Sequence, residues 1–269
     1  MSMKIGFIGA GNMGQALAGG ILQGGVLEKE FVRMSDIDIE KLKIVEKNFG
    51  IKGIKDNAEL AEWADIIVLA VKPGVVNFVL KEITSLLNPL KLLISIAAGI
   101  KIADIEKLTK EIPVIRAMPN TPALINQGVT AIARGSFATE VNMEKASSIF
   151  SAVGTVVSLD ESLMDAVTAL SGSGPAYVFL MAEAMEEAGR RMNLPGETVQ
   201  KLVRGTIFGS GKMLIEIGAD PSVLRKKVTS PGGTTEAALS FLEKNNFKEA
   251  VIGAIHEAAR RSKELRKGR

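Results

Sequence analysis

The sequence has no cysteine, and it has only one histidine, one tryptophan and one tyrosine among its 269 residues. Without cysteine, a disulfide, a thiolate metal site and a cysteine nucleophile are all excluded. We expect no bound metal. No apolar run approaches the roughly 18 residues that a membrane-spanning helix needs. Residues Met1–Lys4 pass directly into a strand and lack the layout of a signal peptide, so these absences together favour a cytoplasmic protein.

The excess of positive over negative charge is also small, because the formal net charge is only +3, while 23% of the residues are charged. With 46% apolar residues, this is the composition of a soluble globular protein. The basic residues that cluster at the end of the chain are Arg260, Arg261, Lys263, Arg266, Lys267 and Arg269. A solvated last helix explains them better than nucleic-acid binding does. We interpret the single His256 as a partly buried structural residue.

The start of the chain carries a glycine-rich turn between a strand and a helix. Lys4–Ile8 predicts a buried strand, Gly9-Ala-Gly-Asn-Met-Gly14 follows it at once, and an apolar helix is predicted from about Gln15 to Leu22. In this context the three glycines allow, in order, a tight turn, the approach of a pyrophosphate and the packing of helix on strand. The pattern predicts a dinucleotide-binding domain.

A second strand, Phe31–Ser35, ends at Asp36, about 20 residues beyond the turn, where such domains place a carboxylate on the adenosine ribose. A carboxylate suits the ribose hydroxyls of NADH and repels the 2′-phosphate of NADPH, so Asp36 predicts a preference for NADH. The alternative is that Asp36 turns outward as a cap for the next helix, which would leave both cofactors usable.

Further strands alternate with helical segments and predict a doubly wound parallel sheet. They are Asp65–Val71, Lys91–Ile96, Val114–Met118, Val129–Arg134 and Thr155–Ser158, with a helix over about Glu140–Ala152. Lys72 follows a strand at the edge where open α/β sheets bind ligands. The small residues Ala97–Gly99 suit a backbone that lies against a flat ring, and Pro119–Pro122 predicts a rigid turn with two polar side chains.

Strand signals stop at Glu161, so we predict a Rossmann-type domain over residues 1–160 and an all-helical domain over residues 161–269. The predicted helix Ala176–Met192 is apolar nearly all round in its first half, which requires burial on all sides. A domain this small has little room for that, so a partner subunit is expected to cover the helix. In the next helix, Glu197–Ile217, glycines indicate close helix contact. We therefore predict an intertwined, helix-swapped dimer.

A proline-glycine turn opens another helix near the end of the chain, within Val228–Leu239. A helix start presents unpaired N–H groups and a positive dipole end, and here Ser230, Thr234 and Thr235 add hydroxyls. This arrangement predicts a pocket for a small anion such as a carboxylate. The alternative is an ordinary capped helix after a turn.

Five motifs in order along the chain resemble those of pyrroline-5-carboxylate reductase. They are Gly9-Ala-Gly-Asn-Met-Gly14, Val71-Lys-Pro73, Met118-Pro-Asn-Thr-Pro122, Ala169-Leu-Ser-Gly-Ser-Gly-Pro175 and Thr229-Ser-Pro-Gly-Gly-Thr-Thr235. The resemblance implies reduction of 1-pyrroline-5-carboxylate to L-proline, the last step of proline biosynthesis, with NADH or NADPH. It also implies a Rossmann domain joined to a helical domain that dimerises, with dimers assembling further, to a decamer, in some members.

The resemblance further implies roles for individual residues. Thr235 matches the residue that hydrogen-bonds the ring nitrogen and is the expected catalytic residue. The expected substrate-binding residues are Glu161, Thr168, Ser230, Gly232, Gly233, Thr234 and Thr235. The expected cofactor-binding residues are Ile8, Gly9, Ala10, Gly11, Asn12, Met13, Gly14, Ser35, Asp36, Asn57, Ala70, Val71, Lys72, Pro73, Ala97, Ala98 and Gly99.

Two other functions compete with this one. A related NAD(P)-dependent reductase that acts on a hydroxy acid would rely on a catalytic lysine in the helical domain, but Lys201 and Lys212 lie in no matching motif. A dinucleotide-binding sensor without turnover would have no need of the Ser230–Thr235 pocket.

Overall fold

The protein is described here by a computed structural model over residues 3–267, without the side chains of residues 265–267. For the predicted basic cluster, the side chains of Arg266 and Lys267 and the whole of Arg269 therefore lie outside what the structure describes, as do the first two residues of the chain. The chain forms two compact units. The first comprises the residues up to Ser173 and those from Ala258 onward, and the second comprises Gly174–Glu257. The domain boundary after residue 160 stays a prediction.

The first unit contains one sheet of eight strands. Their bounds are β1 Ile5–Ile8, β2 Val32–Ser35, β3 Lys52–Ile54, β4 Ile66–Leu69, β5 Leu92–Ser95, β6 Val114–Met118, β7 Gly128–Arg134 and β8 Gly154–Ser158. Their order across the sheet is β3-β2-β1-β4-β5-β6-β7-β8. The strands expected from the sequence are all present. Strand β3 is an addition to them, because a run of lysine, glycine and isoleucine is too short and too polar to indicate a strand.

One pair of strands departs from the predicted parallel arrangement. All neighbouring strands run parallel except β6 and β7, which pair antiparallel. The connection between them contains only a 3₁₀ turn, Thr121–Ile125, whereas a parallel pair needs a longer crossover that usually contains a helix. The expectation of a wholly parallel sheet is corrected at this pair, and the sheet is mostly parallel.

Helices cover both faces of the sheet. Those of the first unit are α1 Asn12–Gln23, α2 Ile39–Phe49, α3 Asn57–Trp63, α4 Val76–Ile83, α5 Ile102–Thr109, α6 Glu140–Ser151 and α7 Met164–Val167. Side chains from α1, α2 and α6 fill one buried cluster, and side chains from α3, α4, α5 and α7 fill another. Because both faces are covered, central strands such as β4 are apolar along their whole length, which made them easy to predict.

Local caps set several of these helix starts. Asp38 accepts a hydrogen bond from the Glu40 N–H at the start of α2, and Thr139 forms a capping box with Asn142 at the start of α6. Helix α1 has no side-chain cap and begins at Asn12, inside the glycine-rich turn, rather than at about Gln15 as predicted. Its first N–H groups therefore face the turn.

The segment that follows the sheet consists of short helical turns. A 3₁₀ turn at Glu161–Leu163 leads into α7, and a π-helical turn, Thr168–Gly172, follows. The hydroxyl of Thr168 donates to the Met164 carbonyl at 2.8 Å, and that of Ser171 donates to the Val167 carbonyl. Such bonds to the preceding turn bend helices, which explains the widened turn here.

The second unit is helical in all its described elements. It contains α8 Gly174–Arg191, α9 Gly196–Ile217, α10 Pro221–Lys227 and α11 Thr234–Lys244, and α12 Phe247–Lys267 contributes its residues up to Glu257. Helices α8 and α9 approach closely where a Cβ on Gly189 would lie 2.9 Å from a Val199 methyl group. No helix in the described part of the chain is long and apolar enough to span a bilayer.

Candidate active site

The turn between β1 and α1 is shaped by its glycines. Gly9 has a φ of +109°, which favours glycine, and a Cβ there would lie 2.7 Å from the Ala70 carbonyl oxygen. A Cβ on Gly14 would lie 2.4 Å from the Gly9 carbonyl oxygen. In contrast, a Cβ on Gly11 would meet nothing within 4 Å, so this position faces open space at the start of α1. The turn therefore fits a pyrophosphate against its backbone.

Asp36 lies at the carboxyl end of β2 and folds back onto this turn. Its Oδ2 accepts a hydrogen bond from the Ala10 N–H at 2.8 Å, and its Oδ1 accepts one from the Asp38 N–H at 2.9 Å. The cap of α2 is Asp38 and not Asp36, so the alternative in which Asp36 turns outward as a cap is not what the structure has. Each carboxylate oxygen can accept a further hydrogen bond.

Lys41, in the first turns of α2, is a neighbour of Asp36 that the sequence analysis missed. Its Nζ lies 3.6 Å from Asp36 Oδ2 and 3.9 Å from Asp38 Oδ2. The signal was available in the sequence, because an α2 cap at Asp38 places residue 41 within the first turn of the helix. Arg33 does not compete for this role, since its guanidinium lies over the Trp63 ring, 4.1 Å from the ring centre.

A cavity of about 310 Å³, termed the Asp36 cavity, opens beside these groups. The predicted cofactor residues that line it are Ile8, Gly9, Gly11, Ser35, Asp36, Asn57, Ala70, Val71 and Lys72. Side chains not predicted from the sequence also line it, namely Ile37, Lys41, Val75, Phe78, Val79 and Glu82. Ile37 and Phe78 are 93% and 68% exposed, so the cavity has apolar surface that a planar aromatic ring could cover.

Asn57 holds one wall of the Asp36 cavity in place. Its Oδ1 accepts a hydrogen bond from the Ser35 hydroxyl at 2.7 Å, and its Nδ2 donates to Glu82 Oε2 at 2.8 Å. The side chains of three separate elements are thus joined in one chain of hydrogen bonds. This arrangement fixes the wall of the cavity.

A second cavity of about 390 Å³, termed the Thr168 cavity, lies in the same unit. The predicted residues that line it are Pro73, Ala98, Gly99 and Thr168, and the others are Ser173, Ala258, Arg261 and Ser262. Ser262, on α12, donates to the buried Asp165 carboxylate at 2.8 Å. The end of the last helix was predicted only as a solvated basic surface, and its place in this wall could not be read from composition.

The remaining predicted residues of the first unit lie outside both cavities. Ala10, Asn12, Met13, Gly14 and Ala97 contribute to neither lining, although the Ala10 N–H holds Asp36. The carboxylate of Glu161 accepts hydrogen bonds from Ile102 N–H at 2.8 Å and Arg116 Nη1 at 3.0 Å. Hydrogen bonds from Ser162 hold the pKa of the adjacent Asp160 below its usual value. The role of Glu161 as a substrate ligand stays a prediction.

The predicted anion pocket belongs to the second unit. Ser230 to Gly233 form a type II turn, in which Pro231 is the second residue, Gly232 has a φ of +70° and the Gly233 N–H donates to the Ser230 carbonyl at 3.0 Å. Helix α11 begins at Thr234, and its first backbone hydrogen bond runs to the Gly233 carbonyl. The first N–H groups of α11 thus follow directly on the turn.

Two details of this loop differ from the prediction. Gly233 has extended backbone angles, so only Gly232 needs glycine for its conformation. A Cβ on Gly233 would lie 3.0 Å from the Ser230 carbonyl oxygen, so a methyl group there would press on the turn rather than fill the open pocket. In addition, the Gly232 N–H donates to Glu236 Oε2 at 2.7 Å, so one predicted anion ligand already has a carboxylate partner.

His256, interpreted as partly buried from the sequence, is instead exposed on α12 in this chain. It lies on a helix face that the chain itself does not cover. This placement gives no support for a catalytic role, and neither cavity includes it.

Comparisons with known proteins show similarity over almost the whole chain. Residues 161–265 match the family model described as pyrroline-5-carboxylate reductase dimerisation, and residues 4–99 match the model described as NADP oxidoreductase, coenzyme F420-dependent. A pyrroline-5-carboxylate reductase from Pseudomonas aeruginosa is 42% identical over 97% of this chain and 96% of its own length.

Solved structures give the same result. A pyrroline-5-carboxylate reductase from Coxiella burnetii is 36% identical over 98% of this chain and 99% of its own, with a TM-score of 0.93. The pyrroline carboxylate reductase of Plasmodium falciparum, solved with NADP bound, is also 36% identical over 98% of both chains, with a TM-score of 0.89. The match therefore extends over the mostly parallel sheet and the helical segment alike, and the chain belongs to the pyrroline-5-carboxylate reductase family.

Proposed function

We propose how this chain carries out the reaction of its family, the reduction of the cyclic imine 1-pyrroline-5-carboxylate to L-proline by hydride transfer from NAD(P)H. The observation that carries the assignment is the conjunction of two features in one family member. The first is a dinucleotide turn beside a lined cavity, and the second is a Ser-Pro-Gly-Gly-Thr-Thr loop that opens a helix. The hydroxy-acid reductase and the sensor lose their support, because neither belongs to this family.

The cofactor is proposed to lie along the carboxyl edge of the sheet. Its pyrophosphate would meet the open backbone at Gly11, and its adenosine would lie in the Asp36 cavity. The nicotinamide end would lie near Ala98 and Gly99 in the Thr168 cavity, where a small side chain and a glycine leave room for a flat ring. When bound, NAD(P)H supplies the hydride that the imine carbon accepts. The chain's own residues supply position and exclude water.

The substrate carboxylate is proposed to bind the Ser230–Thr235 loop. The N–H groups of the first turn of α11 and the positive end of its dipole favour an anion, and the hydroxyls of Ser230 and Thr234 add donors. The Thr235 hydroxyl would accept or donate a hydrogen bond at the ring nitrogen and hold it in register with the reacting carbon. No strong acid or base is required, provided that the imine arrives protonated.

The proposed cofactor preference is NADH. Asp36 has one lone-pair direction on each oxygen left for a ribose hydroxyl, whereas a 2′-phosphate would meet a carboxylate that is only 10% exposed. Lys41 lies 3.6 Å from the same carboxylate and would attract that phosphate. The preference for NADH is therefore smaller than Asp36 alone would give.

The proposed oligomer is a dimer with intertwined helices, and larger assemblies are built from such dimers. Phe179 and Leu180 of α8 are 61% and 66% exposed in the single chain, and a Cβ on Gly205 or Gly209 of α9 would meet nothing within 4 Å. Apolar side chains and open glycines on neighbouring helices are the surface that a second copy would bury. A sedimentation mass equal to one chain at micromolar concentration would contradict the proposal.

A single assay tests the activity. Purified protein is mixed with NADH or NADPH and pyrroline-5-carboxylate, cofactor oxidation is followed by absorbance, and L-proline is identified as the product. A hydroxy acid serves as the control for the reverse reaction with oxidised cofactor. Absence of proline formation with either cofactor would overturn the assignment.

A further inference from the structure

A buried ion pair lies beneath the loop that the nicotinamide is expected to contact. Arg116, on β6, is 1% exposed, and its Nη1 donates to Glu161 Oε1 at 3.0 Å. Its other terminal nitrogen, Nη2, is buried and has no hydrogen-bond acceptor among the described residues. Neither residue belongs to a cofactor motif, and the pair has no part in the chemistry described above.

The same carboxylate oxygen also holds the end of the loop. Glu161 Oε1 accepts a hydrogen bond at 2.8 Å from the N–H of Ile102, the first residue of α5. The loop of residues 96–101 runs between the end of β5 and this point. At the other end of the loop, Ser95 pairs in register with Arg116, and its hydroxyl lies 3.4 Å from the Ala97 N–H. The Glu161 carboxylate therefore holds one end of this short loop, and the backbone of Arg116 lies in register with the strand residue at the other end.

The pair also connects the two walls of the Thr168 cavity. Ala98 and Gly99, which line one wall, belong to the loop, and Gly99 has a φ of +75°. Glu161 begins the 3₁₀ turn that leads through α7 to Thr168 on the other wall. A shift of Glu161 would therefore move both walls of the cavity.

Stability alone does not explain this arrangement. A buried ion pair must offset the cost of removing two charges from water, and pairs with incomplete hydrogen bonding are often replaced by apolar residues without loss. Here the contact is single rather than forked, and one of the three guanidinium nitrogens, Nη2, has no acceptor among the described residues. A buried polar group that is poorly satisfied points to a role other than stabilisation.

We propose that Arg116 and Glu161 are positioning residues, which fix the loop of residues 96–101 at the place where the nicotinamide end of the cofactor lies. This inference rests on the proposed placement of that ring beside Ala98 and Gly99. Glu161 thus acts through the Ile102 N–H and Arg116, and not by contact with the substrate.

The test separates the two ends of the cofactor. NADH and ADP-ribose, which lacks the nicotinamide, are titrated by fluorescence or calorimetry in the absence of substrate. Glu161→Leu removes the acceptor of both hydrogen bonds, whereas Glu161→Gln keeps one oxygen that can accept both. The matched control is Glu106→Leu, because Glu106, within α5, also accepts a backbone N–H, from Ser136 at 2.7 Å, and Ser136 lies outside the loop of residues 96–101.

We expect Glu161→Leu to weaken NADH binding about tenfold and to lower kcat by about 10 to 100-fold, since a small displacement of the bound ring is costly. ADP-ribose affinity should stay within about twofold of wild type, and Glu161→Gln should restore most of both losses. Glu106→Leu should leave the affinities for both NADH and ADP-ribose unchanged. If Glu161→Leu does not fold, Arg116→Met is measured in its place. We then expect smaller losses of NADH affinity and kcat, again with ADP-ribose affinity unchanged.

Three results would overturn the inference. The first is an equal loss of NADH and ADP-ribose affinity in Glu161→Leu, the second is unchanged NADH binding and kcat in a folded variant, and the third is a Glu161→Gln variant as impaired as Glu161→Leu. Failure of the proposed function has a different signature, because wild-type protein would then produce no proline. A misplaced nicotinamide would show as equal wild-type affinity for NADH and ADP-ribose.

Discussion

Replacing Lys41 with methionine is expected to weaken the use of NADPH selectively. In the structure the Lys41 ammonium lies 3.6 Å from Asp36 Oδ2, and both residues line the cavity in which we propose that the adenosine of the cofactor lies. Two unit charges about 4 Å apart interact by about 4 kcal/mol at an effective dielectric near 20. The Lys41 side chain is 44% exposed, and measured surface pairs fall to about 0.2–1 kcal/mol, so solvent removes most of that energy.

A net repulsion of about 1.4 kcal/mol between Asp36 and a 2′-phosphate corresponds to a tenfold preference. We therefore expect wild type to favour NADH by about tenfold in kcat/KM. Lys41→Met should raise the preference to about 15- to 50-fold by lowering NADPH use, with little change for NADH. Asp36→Asn should bring the two cofactors close to parity. It is a better probe than Asp36→Ser, because an amide oxygen can still accept the Ala10 N–H.

The assay is kcat/KM for both cofactors in wild type, in the single variants Asp36→Asn and Lys41→Met, and in the double variant that combines them. Raising the ionic strength should narrow the difference between wild type and the Lys41 variant, since both charges are partly exposed to salt. Equal kcat/KM for the two cofactors in wild type, unmoved by either substitution, would refute the electrostatic reasoning. It would mean that the adenosine does not lie in the Asp36 cavity.

Three further predictions concern the loop of the second unit. Thr235→Val should lower kcat by about 10² to 10³-fold with little change in KM, because its hydroxyl acts as the substrate nitrogen changes charge; a variant with nearly full kcat would make Thr235 a packing residue. Ser230→Ala should raise the KM for pyrroline-5-carboxylate by about 10 to 100-fold through loss of a bond to a charged group, and unchanged KM would move the carboxylate elsewhere. Glu236→Gln should lower that KM by about two- to fivefold, because an exposed carboxylate no longer repels the substrate. If KM does not change, residue 236 keeps its hydrogen bond with the Gly232 N–H when the substrate is bound, and Gly232 is not a substrate ligand.

Much of the fold could be predicted because the sheet is covered on both faces. Strands such as β4 and β5 are apolar without interruption, and local signals such as the cap at Asp38 and the glycine-rich turn act over a few residues. These features need no knowledge of distant parts of the chain. The same holds for the Ser230–Gly233 turn, whose proline and glycine fix its type.

The remaining features depend on contacts between distant segments. Strand β7 pairs antiparallel with β6 because only a short 3₁₀ turn connects them. Strand β3 forms because it pairs with β2, and its own residues do not indicate a strand. Likewise, the bond between the Glu161 carboxylate and the Ile102 N–H joins residues far apart in sequence, and no spacing rule predicts it. Resemblance to the family indicated that Glu161 matters, but only the structure shows what it holds.

The sequence predicted that the Ser230–Thr235 loop binds an anion. It did not predict that the Glu236 carboxylate already accepts one of the loop's hydrogen bonds. Unpaired N–H groups at a helix start attract any carboxylate within reach, and an acidic residue in the first turn of α11 is the nearest one. The Gly232 N–H is therefore satisfied by the chain itself, which stabilises the loop before a substrate is present. On the proposed binding of the substrate carboxylate to this loop, binding at Gly232 would exchange one carboxylate for another, with little net gain from the hydrogen bond alone. We therefore expect the affinity to come from the other donors of the loop, namely Ser230 and the N–H groups of Thr234 and Thr235.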